Sequence, residues 1–380
     1  MEVNPILAAV GGYPLAEIQM RARELREAGK PLVDFSIGDP REPTPQFIRE
    51  ALIGSVPEIS QYPTTAGLGE LREAIADYLN RRFGVVVDPS TQIIPTTGSK
   101  EGIFHTPFAF VDPGADHGVV YGTPGYPVYE RGARFAGARL DPVRLSGDFV
   151  LRARDISDEM WDRARLVWSC SPHNPTGSVT SIAELADLLE RSRAEGALFL
   201  SDECYVDVYE ADPPGSVLQV AGPDLAGALA FYSCSKRSGM TGYRSGAIIG
   251  DAEAIAALAT LRSSAGVAPA EFVQAAAVAA WSDDEHAAER RAIFMAKRAV
   301  LRRAFDELGL PVVASTAGLY LWVVVEDDLA VTGTLLERGV VVSPGRAFGP
   351  GGEGSIRLAL VPTLEECEYA VDVLVECLGA

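Results

Sequence analysis

Short runs that are apolar throughout alternate, along most of the chain, with longer runs in which apolar and polar positions follow a helical period. The runs at residues 93–94, 118–121, 166–169, 197–201, 228–233 and 246–249 are of the first kind, as expected of strands covered on both faces. Between them, residues 68–83, 182–194 and 252–263 predict helices. Strands alternating with helices predict an α/β fold with a mainly parallel sheet. Toward the C-terminus the pattern changes: residues 315–325, 340–342 and 356–360 predict strands, with Leu335-Leu336 in a helix between them and a closing helix from Thr363. This is the signature of a smaller α+β unit. Residues 283–307, rich in Ala, Glu and Arg and free of Gly and Pro, predict a long helix that bridges the two units. A pocket between them is the expected ligand site.

Composition narrows the function classes. With 380 residues, 47% of them hydrophobic, the chain can bury one large core and a smaller one. The longest apolar stretches, residues 319–325 and 272–281, are far short of the ~20 residues of a membrane span, so none is expected. Met1-Glu2-Val3-Asn4-Pro5 shows no basic and then apolar leader, and a cytoplasmic location is expected. Five cysteines without metal-type spacing predict neither a disulfide framework nor a metal site, and Cys204 and Cys234 are expected to be packing residues. The 33 basic and 52 acidic residues leave a net charge of −19, which repels nucleic acid. An anionic ligand then has to be held by local donors, and this singles out any arginine near a Gly-rich turn.

One stretch meets that condition. Ser233-Cys234-Ser235-Lys236-Arg237-Ser238-Gly239-Met240-Thr241-Gly242-Tyr243-Arg244-Ser245-Gly246 follows a predicted strand, and strand ends are where α/β sheets bind ligands. Lysine is the side chain that forms a Schiff base with an aldehyde cofactor, and its pKa falls readily on burial or beside other cations. Arg237 and Arg244 are the candidate cationic neighbours of Lys236. Ser233, Ser235 and Arg244 offer two hydroxyls and a guanidinium to a phosphate dianion. A lone Ser-x-Ser-Lys is more often a polar surface loop; the Gly-Tyr-Arg-Ser-Gly that follows reverses that preference.

Other predicted strand ends carry Ser201-Asp202-Glu203-Cys204-Tyr205, Ser171-Pro172-His173-Asn174-Pro175-Thr176-Gly177 and Gly122-Thr123-Pro124-Gly125-Tyr126-Pro127. Thr96-Thr97-Gly98-Ser99-Lys100-Glu101-Gly102 opens a helical run whose free N–H groups suit an anion. Each alone reads as an ordinary turn, cap or packed aromatic. Their order along the chain carries the weight.

Ser-x-Ser-Lys followed by Gly-x-Arg-x-Gly resembles the fold-type I, pyridoxal-phosphate-dependent class I/II aminotransferases, and the resemblance runs from about residue 33 to the C-terminus. It implies an α/β large domain with a mainly parallel seven-stranded sheet plus a smaller α+β domain. The implied division is an N-terminal segment, 1–45, packing with the small domain, a large cofactor-binding domain, 46–284, and a small C-terminal domain, 285–380. By this resemblance Lys236 forms the Schiff base and shuttles the proton. Asp202 faces the pyridinium nitrogen, Tyr205 and Asn174 reach the phenolic oxygen, and Tyr126 stacks on the ring. Gly98, Ser99, Lys100, Ser233, Ser235 and Arg244 hold the phosphate, joined by Tyr62 from a neighbouring subunit, which implies a homodimer. Arg357, in Ser355-Ile356-Arg357-Leu358-Ala359, pairs with the substrate α-carboxylate, and Gly38 and Asn174 also touch substrate. His173 is a bystander.

The implied reaction is ping-pong transfer of an amino group from an amino acid to a 2-oxoacid. Residues 36–45, 62–67 and 279–286 look most like the N-succinyldiaminopimelate aminotransferases of lysine biosynthesis, which implies N-succinyl-LL-2,6-diaminopimelate and 2-oxoglutarate as substrates. A distal carboxylate then needs a basic partner, for which Arg41, Lys100 and Arg262 are candidates. The competing readings are an aspartate, alanine or aromatic aminotransferase and a pyridoxal-phosphate-dependent carbon–sulfur lyase. Outside the enzymes, a non-catalytic ligand-sensing domain competes.

Overall fold

Apolar runs become strands where both of their faces find cover. The computed structural model describes residues 2–10 and 15–379; residues 1 and 11–14 of the expected N-terminal segment, and residue 380, lie outside them. Seven strands form the main sheet, in the spatial order Ile93–Thr96, Gly246–Gly250, Ala228–Ser233, Leu198–Asp202, Ala164–Cys170, Gly118–Thr123 and Arg139–Arg144. From Ala228–Ser233 outward to Arg139–Arg144 every pair is parallel, and Gly246–Gly250 is antiparallel to both of its neighbours. Successive residues of a strand face opposite sides. Val167, Phe199 and Ile249 accordingly sit in one apolar cluster, and Leu166, Leu200 and Ile248 in the other.

The strand that the apolar pattern leaves out is Arg139–Arg144. It forms the outer edge of the sheet and alternates between exposed and buried positions, and Pro142 is tolerated there because an edge needs fewer ladder donors. Helices cover both faces, among them Gly69–Phe83, Ile182–Ala194 and Ala252–Ala265. Ser181 and Glu184 form a capping box at the start of the second. The alanine-rich run at the end of the large sheet's sequence is also a helix, Glu271–Trp281, which small side chains with little polar contrast had hidden.

A second sheet of four antiparallel strands runs in the order Ser343–Pro344, Ser355–Ala359, Tyr320–Val324 and Val312–Val313. Val33–Asp34 pairs in parallel with Val340–Val341 beside it. The strand expected from residue 315 begins only at Tyr320, because the preceding backbone bonds elsewhere: the Gly318 N–H donates to the Val208 carbonyl at 2.6 Å. The long helix is Glu285–Glu307, two residues shorter than expected, since the Asp283 carboxylate accepts from the His286 N–H at 2.9 Å. Among the described residues no helix is long and apolar enough to cross a membrane, and no group of His, Cys, Asp and Glu could hold a metal ion.

Phe199 is wholly buried in the middle of the main sheet. Phe199→Ala is expected to cost about 3–5 kcal/mol through lost transfer energy and the cavity left behind, read as a lower midpoint of chemical unfolding.

Candidate active site

Parallel strands end on one edge of their sheet, so the loops after Thr123, Cys170, Asp202 and Ser233 emerge side by side. Thr96 and Ser233 both pair with Gly246, which brings the loop after Thr96 and the loop entering Gly246 to the same edge. A cavity of about 400 Å³ lies between that edge and residues of the second sheet, including Tyr320 and Arg357. Gly38, Ser99, Lys100, Tyr126, Asn174, Asp202, Tyr205, Ser233, Ser235, Lys236, Arg244 and Arg357 line it. Gly98 stands behind Arg244, and Tyr62 is fully exposed away from the cavity.

Lys236 belongs to a single helical turn, Cys234–Arg237, whose start is capped by the Ser233 hydroxyl accepting from the Ser235 N–H at 3.1 Å. Neighbouring residues of a turn point ~100° apart, so Lys236 faces the cavity while Arg237 is directed inward. Arg237 is therefore not the cationic neighbour expected of it. It pairs with the buried Asp207 at 2.9 Å and, toward the surface, with the half-exposed Asp284 at 2.6 Å. Burial is the main cause that brings the Lys236 amine down to about 8; Asp39 and Cys204 oppose the shift, and Arg244 and Arg357 add to it. The Lys236 ammonium donates to the Gly38 carbonyl.

The phosphate-type donors gather at the N-terminus of the Ser99–Phe110 helix. Gly98, at φ 80°, has no room for a side chain: a Cβ there would stand 2.3 Å from an Arg244 guanidinium nitrogen. The guanidinium thus lies against bare backbone, next to Ser99 and across from Ser233 and Ser235. An anion here would meet free helix N–H groups, hydroxyls and Arg244 together.

Asp202 is buried, and burial pushes its carboxyl up. Its partners are neutral: the Tyr129 hydroxyl donates to it at 2.7 Å and the Cys204 N–H at 3.2 Å. A buried carboxylate held only by neutral donors is suited to a cationic ring nitrogen brought in by a ligand. The Tyr129 ring stacks on Trp168 with centroids 4.8 Å apart, which fixes its hydroxyl.

On the opposite wall Arg357 lies between the rings of Tyr320 and Phe348, 4.3 Å from each centroid. It donates to Asn174 Oδ1 at 2.9 Å and to the Ser36 carbonyl at 2.7 Å, and its Nε is buried without a partner. The Tyr205 and Tyr320 hydroxyls meet at 2.7 Å, and burial holds Tyr205 well above the usual phenol range. The donor set fits pyridoxal phosphate: an amine for the aldehyde, an anion cup, a buried carboxylate and a guanidinium with a spare N–H.

Sequence reading missed Tyr129 and Tyr320. Tyr129 lies on the helix Val128–Phe135, which was not among the predicted elements; nothing local points to Tyr320. Two candidates for a distal carboxylate are engaged elsewhere: Arg262 is buried against Glu101 at 2.9 Å, and Arg41 pairs with Glu366. Lys100 lines the cavity, its amine pushed down by burial and then by Arg131 and Arg244. His173 is buried, bonded to Thr176 at 2.8 Å, and pushed down to about 4 by burial, so it is neutral. Cys234 is buried as expected, whereas Cys204 lines the cavity.

The profile of the aminotransferase class I and II family matches residues 30–374. An LL-diaminopimelate aminotransferase of Nitratidesulfovibrio vulgaris is 35% identical over 378 residues, covering 96% of each chain. Among solved structures, an aminotransferase from Neisseria meningitidis superposes with a TM-score of 0.92 at 33% identity, over 99% of this chain and 100% of that one. A probable N-succinyldiaminopimelate aminotransferase from Thermus thermophilus superposes with a TM-score of 0.89 at 28% identity, over 96% and 100%.

With half of the Lys236 amine uncharged near pH about 8, its reaction with an aldehyde is expected to rise through that pH and level above it. Capture of pyridoxal phosphate by cofactor-free protein, followed by absorbance across pH, checks this; a midpoint near the ordinary lysine value, or an unchanged visible band in Lys236→Ala, contradicts it.

Proposed function

Given that the chain belongs to the aminotransferase class I and II family, and so is a pyridoxal-phosphate-dependent aminotransferase, we propose that it moves an amino group from a diaminopimelate to 2-oxoglutarate, in lysine biosynthesis. The observation that carries the amino-transfer part of this reading is the convergence on one cavity of a deprotonatable Lys236, the neutral-partnered Asp202 and the ring-sandwiched Arg357. The name of the relatives aligned over 96% and 97% of this chain favours free LL-diaminopimelate over the N-succinyl derivative. The Thermus thermophilus neighbour and the residues 36–45, 62–67 and 279–286 keep the N-succinyl form as the second reading.

Bound in this cavity, pyridoxal phosphate supplies an aldehyde that exchanges amines and a ring that accepts the electron pair left at the substrate Cα. The chain's own residues supply the rest. Lys236 Nζ would hold the cofactor through its aldehyde and, once the substrate amine has taken that place, would accept the proton from the substrate Cα. Asp202, held by Tyr129, would set a carboxylate against the ring nitrogen. Asn174 and Tyr205 would serve the phenolic oxygen, and Tyr126 the ring face. Gly98, Ser99, Lys100, Ser233, Ser235 and Arg244 would hold the phosphate. Arg357, fixed by Asn174 and the Ser36 carbonyl, presents its fork to the α-carboxylate beside Gly38.

A homodimer is part of the proposal. Ile53, Val56, Ile59 and Tyr62 are all strongly exposed along one short stretch, which supports cover by a second copy and a Tyr62 that reaches the other copy's phosphate site. Light scattering is expected to give the mass of two chains, and Tyr62→Phe to raise the cofactor dissociation constant several-fold, as for one lost hydrogen bond of about 1 kcal/mol.

A half-reaction screen decides the substrate: loss of the cofactor's visible band is followed with LL-diaminopimelate, its N-succinyl derivative, aspartate, alanine, aromatic amino acids and glutamate. LL-diaminopimelate and glutamate are expected to react fastest, and Arg357→Ala to lower kcat/KM roughly 10- to 100-fold through loss of a charge-assisted fork. A band that no amino acid bleaches excludes transamination.

A further inference from the structure

The stretch Ala280–Arg290 does not line the cavity and has no part in the chemistry above, yet it grips the residues that follow Lys236. Arg237 donates to the Ala280 carbonyl at 2.7 Å and the Asp283 carbonyl at 3.0 Å, besides its pairing with Asp284. His286 has one ring nitrogen on the Asp283 carboxylate and the other 2.9 Å from the Ser238 hydroxyl. Burial lowers the His286 pKa, so the ring is neutral: Nδ1–H donates to Asp283, and Ser238 donates to Nε2.

One turn further along the same helix, Arg290 lies flat on the next residue. Gly239, at φ 65°, leaves so little space that a Cβ there would stand 2.6 Å from the Arg290 guanidinium carbon. The same guanidinium donates to the Glu42 carbonyl at 3.1 Å and the Pro43 carbonyl at 3.3 Å. Lys297, seven residues on and on the same helix face, pairs with the Glu42 carboxylate. Thr44 closes the joint by donating to the Gly239 carbonyl at 2.6 Å.

The segment so fastened is the one that reaches back to the cavity. Its Gly38 carbonyl accepts from Lys236, and its Ser36 carbonyl accepts from Arg357 at 2.7 Å. The contacts form a closed ring, from Lys236 through Gly239, Arg290 and residues 42–44 to Gly38 and back. A buried guanidinium is costly, and an apolar residue could fill its space. What arginine adds is a fork that reaches two carbonyls of one segment while its plane lies on the backbone of another.

We propose that Arg290 is a positioning residue for substrate binding: by fastening residues 42–44 to Gly239 it sets where Ser36 and Gly38 stand, and through them holds Arg357 in register with Lys236. This rests on the reading of Arg357 as the carboxylate-binding arginine. Arg290 itself does not line the cavity.

The test compares holoenzymes of wild type, Arg290→Ala, Arg290→Lys and Thr44→Val. Arg290→Ala is expected to raise the amino-acid KM, and the dissociation constant of the non-reacting dicarboxylate maleate, about tenfold or more, as for a displaced binding group. Amide exchange at residues 35–44 should quicken, while the visible absorbance and the cofactor dissociation constant stay within about twofold of wild type. Arg290→Lys, which keeps donors to the two carbonyls but not the flat stack, should fall between; Thr44→Val should move the same quantities less. Unchanged KM, maleate affinity and exchange in Arg290→Ala overturn the proposal. So does an equal loss of cofactor affinity and of protection throughout the chain, which marks a merely structural role. Maleate binding and exchange need no turnover, so a wild type that transfers no amino group would count against the functional reading and leave these two measurements to decide this one.

Discussion

An amine acts as a nucleophile or a base only after losing its proton, and in this protein burial of Lys236 makes that loss easier. The low-dielectric cavity brings the group down to about 8 even though Asp39 and Cys204 oppose the shift. That single desolvation requires a lid, and the lid is built from a part of the chain remote in sequence: Gly38 from the N-terminal segment and Tyr320 and Arg357 from the four-stranded sheet. The same enclosure that lowers the Lys236 amine buries Asp202 among neutral partners. The two groups are therefore poised by one cause with opposite consequences, a base made available and a carboxylate left in need of a cation.

How the chain spends its cations follows from this. Among the described residues the buried charged side chains are six cations, Arg237, Arg262, Arg290, Lys297, Arg298 and Arg357, and five carboxylates, Asp141, Asp202, Glu203, Asp207 and Asp328. The net charge of −19 therefore resides on the surface, and the interior is close to balanced. Each buried cation has a separate task. Arg237 anchors the Lys236 turn from below, Arg298 holds the carbonyls of Ser315, Ala317 and Gly318 ahead of Tyr320, and Arg262 serves Glu101. Arg237 and Arg244 look alike in a motif; the helical turn directs the first inward, and the bare backbone of Gly98 receives the second.

Much of this was legible beforehand, for reasons that differ by element. The helix from residue 182 announces itself by its apolar stripe. The central strands do so by unbroken apolar runs that only two covered faces allow. Arg139–Arg144 was not legible, because an edge strand needs neither, and Glu271–Trp281 was not, because alanine hides the polar contrast. Of the residues singled out for chemistry, those on strand-end loops converge on the cavity, since parallel strands deliver their ends to one edge. Tyr62 does not, and its surroundings in a single chain are solvent.

The sequence by itself determined the alternation of strand and helix and the loops that carry Lys236, Asp202, Asn174 and Arg244, because side-chain periodicity and turn chemistry are properties of neighbours along the chain. Only the tertiary structure decided which side chains meet across it. Tyr129 reaches Asp202 over 73 positions, Tyr320 reaches Tyr205 over 115, and Arg262 is taken by Glu101 over 161. Arg290 lies on Gly239 by the same kind of encounter. The partner of a buried polar group is whichever distant donor or acceptor the fold presses against it, and no local pattern records that choice.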